Sequence, residues 1–311
     1  MDFENYFKEN LIGKGRKFTI ILGSGFHKKA YENREDFNNV LTSWCCLLKS
    51  LNPNVELSNN YILDFERIVL NHTNCQGDNN AQKIEKSLLN TTVVMLIEQQ
   101  QKALLLMDNY PLGILNNNFV SDVISLNFDI IPELLINTNK NSKIKSVINS
   151  KGKKYHSTRH REINGIKYWH PHGDINNIDS IILGARKYSN QIRNVEQLRN
   201  NHKNKKSKNK TWYDALTDNP ILILGASISD NEWDIWSAFV NRERNFGKNI
   251  ISENNTRNPI FQMRSINCEI KPKNCAAESN DTSNEKWFEP LFDENLSFKD
   301  QWNKLETLFK N

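Results

Sequence analysis

Long apolar runs are missing from this chain of 311 residues. Stretches such as Ile221 to Ala226 and Leu104 to Met107 fall far short of the roughly 18–20 residues that a membrane-spanning helix needs, so no transmembrane segment and no membrane partner is expected. No secretory leader is expected either: Met1-Asp2-Phe3-Glu4-Asn5 carries acid where a signal peptide carries basic residues and an apolar core, which leads to the expectation of a cytoplasmic protein. Cysteine is sparse. Cys45, Cys46, Cys75, Cys268 and Cys275 make an odd set with no C-x-x-C spacing, which speaks against a zinc ribbon and a disulfide framework and predicts reduced thiols. The net charge of +5 is concentrated in Lys203-Asn204-Lys205-Lys206-Ser207-Lys208-Asn209-Lys210. No aromatic residue interrupts that run, so it has no stacking platform for a single strand. It reads either as a solvated loop or frayed helix end, or as a phosphate-neutralising contact to nucleic acid, the less favoured of the two.

What is present is enough apolar material for one large core, or a core with an appended subdomain. Lys17-Phe18-Thr19-Ile20-Ile21-Leu22 is short, apolar and bounded by glycines, the pattern of a buried parallel strand. Beyond it, Phe37, Val40, Leu41, Trp44, Leu47, Leu48 and Leu51 recur at three-and-four spacing and predict a helix from Asp36 to Leu51. A second helical pattern runs through Ile62, Phe65, Ile68 and Val69, and a third from Ala81 to Met107. The next strand falls near Asp122 to Leu126, so a helical insertion spanning 31–115 is expected between the two strands. Further strands are predicted at Gly165 to Trp169, Ser180 to Leu183 and Ile221 to Leu224, with a last one at Asn258 to Met263. Helices are predicted from Trp233 and from Lys299 to Phe309. The fold class expected is α/β: a Rossmann-like, mostly parallel sheet with helices on both faces and an inserted helical subdomain, one domain over 1–311. Residues 262–311 are expected to form a C-terminal loop and helix packed on it.

Three segments place glycine or polar side chains at the end of an apolar run, where an α/β sheet builds its ligand crevice. In the first, Gly23-Ser24-Gly25 follows a strand and precedes a helical segment, so its N–H groups can face a pyrophosphate. The third glycine of G-x-G-x-x-G is replaced by Lys28 and no acidic ribose clamp follows, which leaves a plain strand-to-helix turn as the other reading. In the second, Asn127 and Asp129 sit two apart beyond a strand. Asn127 offers a donor and an acceptor for a ribose hydroxyl or a water, and Asp129 either supports the same ring or caps the helix that follows. In the third, His172-Gly173 pairs an imidazole able to take a proton near neutral pH with a glycine that admits a ligand. His170 competes for that role and reads as structural. His-x-His spacing raises metal binding, but the chain offers no further ligands beyond His156 and His160, and no metal is expected. Gly225-Ala226-Ser227 with Asp230 forms a second nucleotide-contacting turn or a helix cap. Together these residues point to a nucleotide-cleaving enzyme.

The order Gly23-Ser24-Gly25, Leu126-Asn127-Phe128-Asp129, His172-Gly173 and Gly225-Ala226-Ser227-Ile228-Ser229-Asp230 resembles the sirtuin-like family, in particular the bacterial branch that hydrolyses NAD in anti-phage defence. The similarity covers roughly residues 17–30 and 120–245. It implies that Gly23, Ser24, Gly25, Phe26 and His27 bind the NAD phosphates and that Asn127 and Asp129 lie by the nicotinamide ribose. His172 is then the catalytic histidine with Gly173 beside the ligand, and Gly225 and Ser227 hold the adenosine half. Two departures stand out. His27 occupies a position where a small hydroxyl is usual, and the four-cysteine zinc module of the deacylating sirtuins is absent, which leaves hydrolysis or transfer on NAD.

The activity so implied is that of an NAD+ glycohydrolase, with NAD as substrate and no metal, depleting NAD in abortive infection. Such an enzyme is toxic if constitutive, so activation through a homo-oligomer or a separately encoded sensor or activator protein is expected. Trp233, Trp236 and Trp287 are candidates for those contacts or for the core. Two alternatives remain: a catalytically silent sensor of NAD or an NAD-derived signal within a defence complex, and a nucleic-acid-associated protein using the lysine run.

Overall fold

The structure, a computed structural model, describes residues 3–58, 60–72, 77–137, 144–147, 157–203, 209–228, 232–249, 258–263, 288–292 and 295–310. Its strands are β1 (Phe18–Leu22), β2 (Val120–Ser125), β3 (Ile144–Val147), β4 (His160–Ile163), β5 (Ile166–Trp169), β6 (Ile221–Leu224), β7 (Ile260–Gln262) and β8 (Glu289–Pro290). They form one sheet in the order β3-β4-β5-β2-β1-β6-β7-β8. From β5 to β8 every pairing is parallel, whereas β3, β4 and β5 pair antiparallel. Counted in chain order, the parallel strands lie 3-2-1-4-5-6, the doubly wound order whose direction reverses between β1 and β6.

Alternation along the central strands divides the core into two layers. Ile20, Leu22, Leu222 and Leu224 belong to one cluster with Phe26, Phe65, Ile114, Trp302 and Leu305. Ile21, Ile221 and Ile223 belong to the other with Trp212, Leu216, Ile235 and Phe239. Helices therefore cover both faces of a mostly parallel sheet, as the sequence predicts. Between β1 and β2 the chain folds into the helices Gly25–Ala30, Trp44–Leu51, Tyr61–His72, Asp78–Leu104 and Leu112–Leu115. Helices Ala185–Lys203, Trp212–Asp218, Trp233–Asn249 and Phe298–Lys310 complete the layers. Among the described residues, no helix is long and apolar enough to cross a membrane.

Several local expectations are corrected. The helix predicted from Asp36 begins only at Trp44, because Asn39 and Thr42 bond to nearby backbone groups of Asp36, Phe37 and Leu41, and Ser43 then caps the helix through Cys46 N; such local side-chain bonds compete with helix. Ser180 to Leu183 is not a strand: Ile178–Ser180 is a 3-10 turn leading into extended chain. Nor is β7 the last strand, since β8 adds beside it. The expectation of reduced thiols fails at Cys45, which is disulfide-bonded, while Cys46 is free; the absence of a C-x-x-C spacing does not exclude a disulfide. Trp236 is buried and stacks on Phe288, whereas Trp233 is 64% exposed. Trp287, Ser229, Asp230 and residues 204–208 of the lysine run lie outside the described residues.

Candidate functional site

The C-terminal ends of β1, β2, β5 and β6 bring the expected segments to one edge of the sheet, around its switch point. There the turn after β1 is pressed against the turn after β6. Gly25 N donates to Gly225 O at 2.7 Å, and Gly23 N donates to Leu224 O at 3.2 Å. A Cβ on Gly25 would lie 2.4 Å from Gly225 Cα, and one on Gly225, whose φ is +62°, would lie 2.6 Å from Gly25 Cα. Both glycines are thus required by backbone packing across the switch point. Phe26 N and His27 N donate to Gly23 O and Ser24 O as the helix begins, so the amides of Gly23, Gly25, Phe26 and His27 all act within the protein. Ser24 and Gly225 are half-buried and Ser227 is exposed. Phe26 is fully buried, its ring packed on Tyr110 and Trp302.

His27 is fully buried as well, and it gathers the first chemical cluster. Its Nε2 lies 3.0 Å from Asp129 Oδ2 and 3.2 Å from the Asn127 side-chain amide, and its Nδ1 lies 3.2 Å from the Tyr110 hydroxyl. Asp129 Oδ1 accepts from Ile131 N at 3.0 Å. Asp129 therefore caps the helix Ile131–Asn137 and holds His27 at once. Burial would raise the Asp129 carboxyl, but the facing His27 overrides it and keeps Asp129 below the usual carboxylate range. Burial also pushes the Tyr110 phenol up, so it stays protonated.

The second cluster surrounds His172. Its Nε2 lies 2.8 Å from Asp234 Oδ2, and Asp234 stands in the first turn of the helix Trp233–Asn249. Gln191 Nε2 donates to the same oxygen at 3.3 Å and to Pro171 O at 3.2 Å. The Tyr188 hydroxyl donates to Asp234 Oδ1 at 3.1 Å. Burial disfavours the charged ring of His172, yet the Asp234 carboxylate, helped by the Glu232 charge and a hydrogen bond to the backbone of Leu126, outweighs it and holds His172 above the ordinary histidine value. Asp234 is itself fully buried and is kept low by His172, Gln191 and Tyr188 against the effect of burial. Gly173 is fixed by geometry: at φ +85°, a Cβ there would meet Ser180 O at 2.1 Å.

Beneath this loop lies a third, charged network. His170 Nε2 meets Glu133 Oε1 at 2.7 Å, Arg161 bridges Glu133 and Asp174 at 3.1 Å each, and Arg159 meets Asp174 at 2.7 Å. Glu133 outweighs the burial of His170 and raises it. His170 Nδ1 also lies 3.2 Å from Asn127 O. This network ties β4 to the segments after β2 and β5, which suits the structural reading of His170.

One short segment joins the clusters. Leu126 N donates to Leu22 O at 2.9 Å, its backbone bonds to the His172 ring, and the next side chain, Asn127, reaches His27. Phe128 O accepts from Ile175 N at 2.8 Å. Asn127, Asp129, His172 and the turn at 23–25 are thereby drawn to the same edge of the sheet. Sequence reasoning missed Asp234, Tyr188, Gln191 and Tyr110. Their only signal was an acid in the first turn of a helix whose start was expected. Among the described residues, no group of three or more His, Cys, Asp or Glu is placed to hold a metal ion.

Residues 121–262 match the family described as the SIR2-like domain. The match covers β2 through β7 and so contains both the Asn127 and the His172 segments. No curated protein matches the chain.

Proposed function

We propose that this protein is an NAD+ glycohydrolase that cleaves the bond between nicotinamide and ribose, and that it depletes NAD in an abortive response to phage. The SIR2-like match supports an NAD-related function. The observation that supports the finer reading is the Leu126–Asn127 step: consecutive residues engage the His172–Asp234 pair and the His27–Asp129 pair, which brings an amide and an imidazole to the same edge of the sheet. Cleavage develops positive charge on the sugar and expels an already good leaving group, so the demands are ring positioning, suitable dipoles and an ordered water. Asn127 positions the ribose or that water, and Asp129, with both oxygens engaged, supports the loop. His172 acts as base. For that step its ring is neutral, donates its Nε2 proton to Asp234, and turns its other nitrogen from Leu126 to a substrate hydroxyl or water. The reading includes a cytoplasmic protein activated by self-assembly or by a separately encoded partner.

The test is nicotinamide release from NAD+ by the purified full chain, alone and with the products of neighbouring genes. Release by the wild type with loss in Asn127→Ala and in His172→Ala is expected. An undiminished rate in both variants overturns the assignment.

A further inference from the structure

Two hydrogen-bond requirements meet at His27 Nε2 and cannot both be met as the atoms are placed. Asp129 Oδ2 at 3.0 Å accepts only, so Nε2 carries a hydrogen; the Asn127 atom at 3.2 Å is placed as Nδ2, which carries two of its own. The reverse tautomer would set a bare nitrogen against a carboxylate inside the core. Tyr110 agrees with the first state: its hydroxyl, 3.2 Å from Nδ1, donates to a neutral ring or accepts from a charged one. The two ends of an amide are nearly isosteric, and the network assigns which end lies where.

We propose that His27 is a positioning residue: it donates one Nε2–H in a fork to Asp129 and to the side-chain carbonyl of Asn127, and so turns the Asn127 NH2 group into the crevice as a donor. This rests on the proposed function for its substrate, and it narrows the division of labour there. A donor suits an oxygen of the ribose. It is ill suited to withdraw a proton from water, which leaves activation of the nucleophile to His172 and gives Asn127 the sugar. The imidazole, buried at a position where the resemblance leads one to expect a small hydroxyl, thus stands behind the amide and fixes its direction.

Two measurements test this. The first needs no turnover: the side-chain NH2 protons of Asn127 are followed by nitrogen-resolved NMR of the wild-type chain, the signal being assigned by its loss in Asn127→Ser. Both protons exchanging rapidly with solvent is the expected result, and one slowed proton, bonded to His27, overturns the proposal. The second compares variants in nicotinamide release. His27→Ala is expected to lower kcat/KM about 10- to 100-fold, the scale of a displaced positioning group. Much of that loss should lie in KM, and His27→Gln, which keeps a donor near the Nε2 position, should recover part of it. Equal loss in both variants while both remain folded by circular dichroism overturns the proposal. Should the wild type release no nicotinamide, the proposed function fails, while the exchange measurement still decides the direction of the amide.

Discussion

His172 Nε2 and Asp234 Oδ2 stand 2.8 Å apart although 62 residues separate them in the chain. One residue comes from the loop after β5 and the other from the helix after β6, so the contact spans the switch point of the sheet. Because the carboxylate is buried and accepts from Gln191 and Tyr188 as well, its position is fixed and the imidazole is fixed by it.

The pair sets a pH dependence. Burial alone would lower His172, and Asp234 reverses the sign, so the ring loses its proton above the ordinary histidine value of about 6.5. A base works only when neutral; nicotinamide release should therefore climb with pH through a value above that mark. Asp234→Asn keeps the shape and removes the main charge that raises the ring, although Glu232 and the Leu126 backbone still act against burial; the rise should move to lower pH while the maximum rate falls about 100-fold. The profile of kcat/KM against pH checks this, and a profile that stays in place in the variant counts against His172 as the base.

The contact between Gly25 and Gly225 predicts a structural loss independent of any ligand. Alanine at 25 sets a methyl group against Gly225 Cα, and alanine at 225 meets Gly25 Cα from a left-handed backbone. Backbone on both sides cannot yield as a flexible side chain would, so each variant should lose roughly 2–4 kcal/mol, overpacking with added strain at 225. Urea unfolding measures it. A cost below about 0.5 kcal/mol at both positions would mean that the two turns separate easily. The double variant should lose less than the sum, since one displacement of the turns relieves both clashes.

Glycine punctuation made the switch point of the sheet legible, though for a different reason from the one the sequence offered. A run such as Ile20-Ile21-Leu22 followed by Gly23-Ser24-Gly25 marks a strand end, and that strand lies at the switch point. What the run does not reveal is that Gly25 N points to a carbonyl of β6's turn, because the neighbour is some 200 residues away. Asp129 was legible as a helix cap, but its hold on His27 through the other carboxylate oxygen was not, because the two lie 102 positions apart in the chain. Asp234 was not. Its partner lies on the β5 loop, and Tyr188 and Gln191 stand on the helix Ala185–Lys203, whose buried apolar positions, Val195 and Leu198, are too few to announce an amphipathic face. The strands β3 and β4 were missed for a similar reason: the sides of His160–Ile163 are mostly half-buried, and no continuous apolar run marks them.

Lys210 ends the basic run, and its ammonium is committed to the interior. Its Nζ meets Asp122 Oδ2 at 2.7 Å, while Asp122 Oδ1 accepts from Trp169 Nε1 at 2.9 Å. Asp122 is fully buried on β2 and Lys210 is partly exposed. Removing the cation leaves a buried carboxylate facing one indole and a distant amide, Asn219 Nδ2 at 3.4 Å. Lys210→Met should therefore cost about 3 kcal/mol, the usual loss when one member of a buried pair is taken away. Adding Asp122→Asn removes the orphaned charge and keeps an acceptor for Trp169, so the double variant should recover at least half of that loss. Chemical denaturation of the three variants closes the cycle. If Asp122→Asn, Lys210→Met is less stable than Lys210→Met alone, the ammonium is not what compensates Asp122.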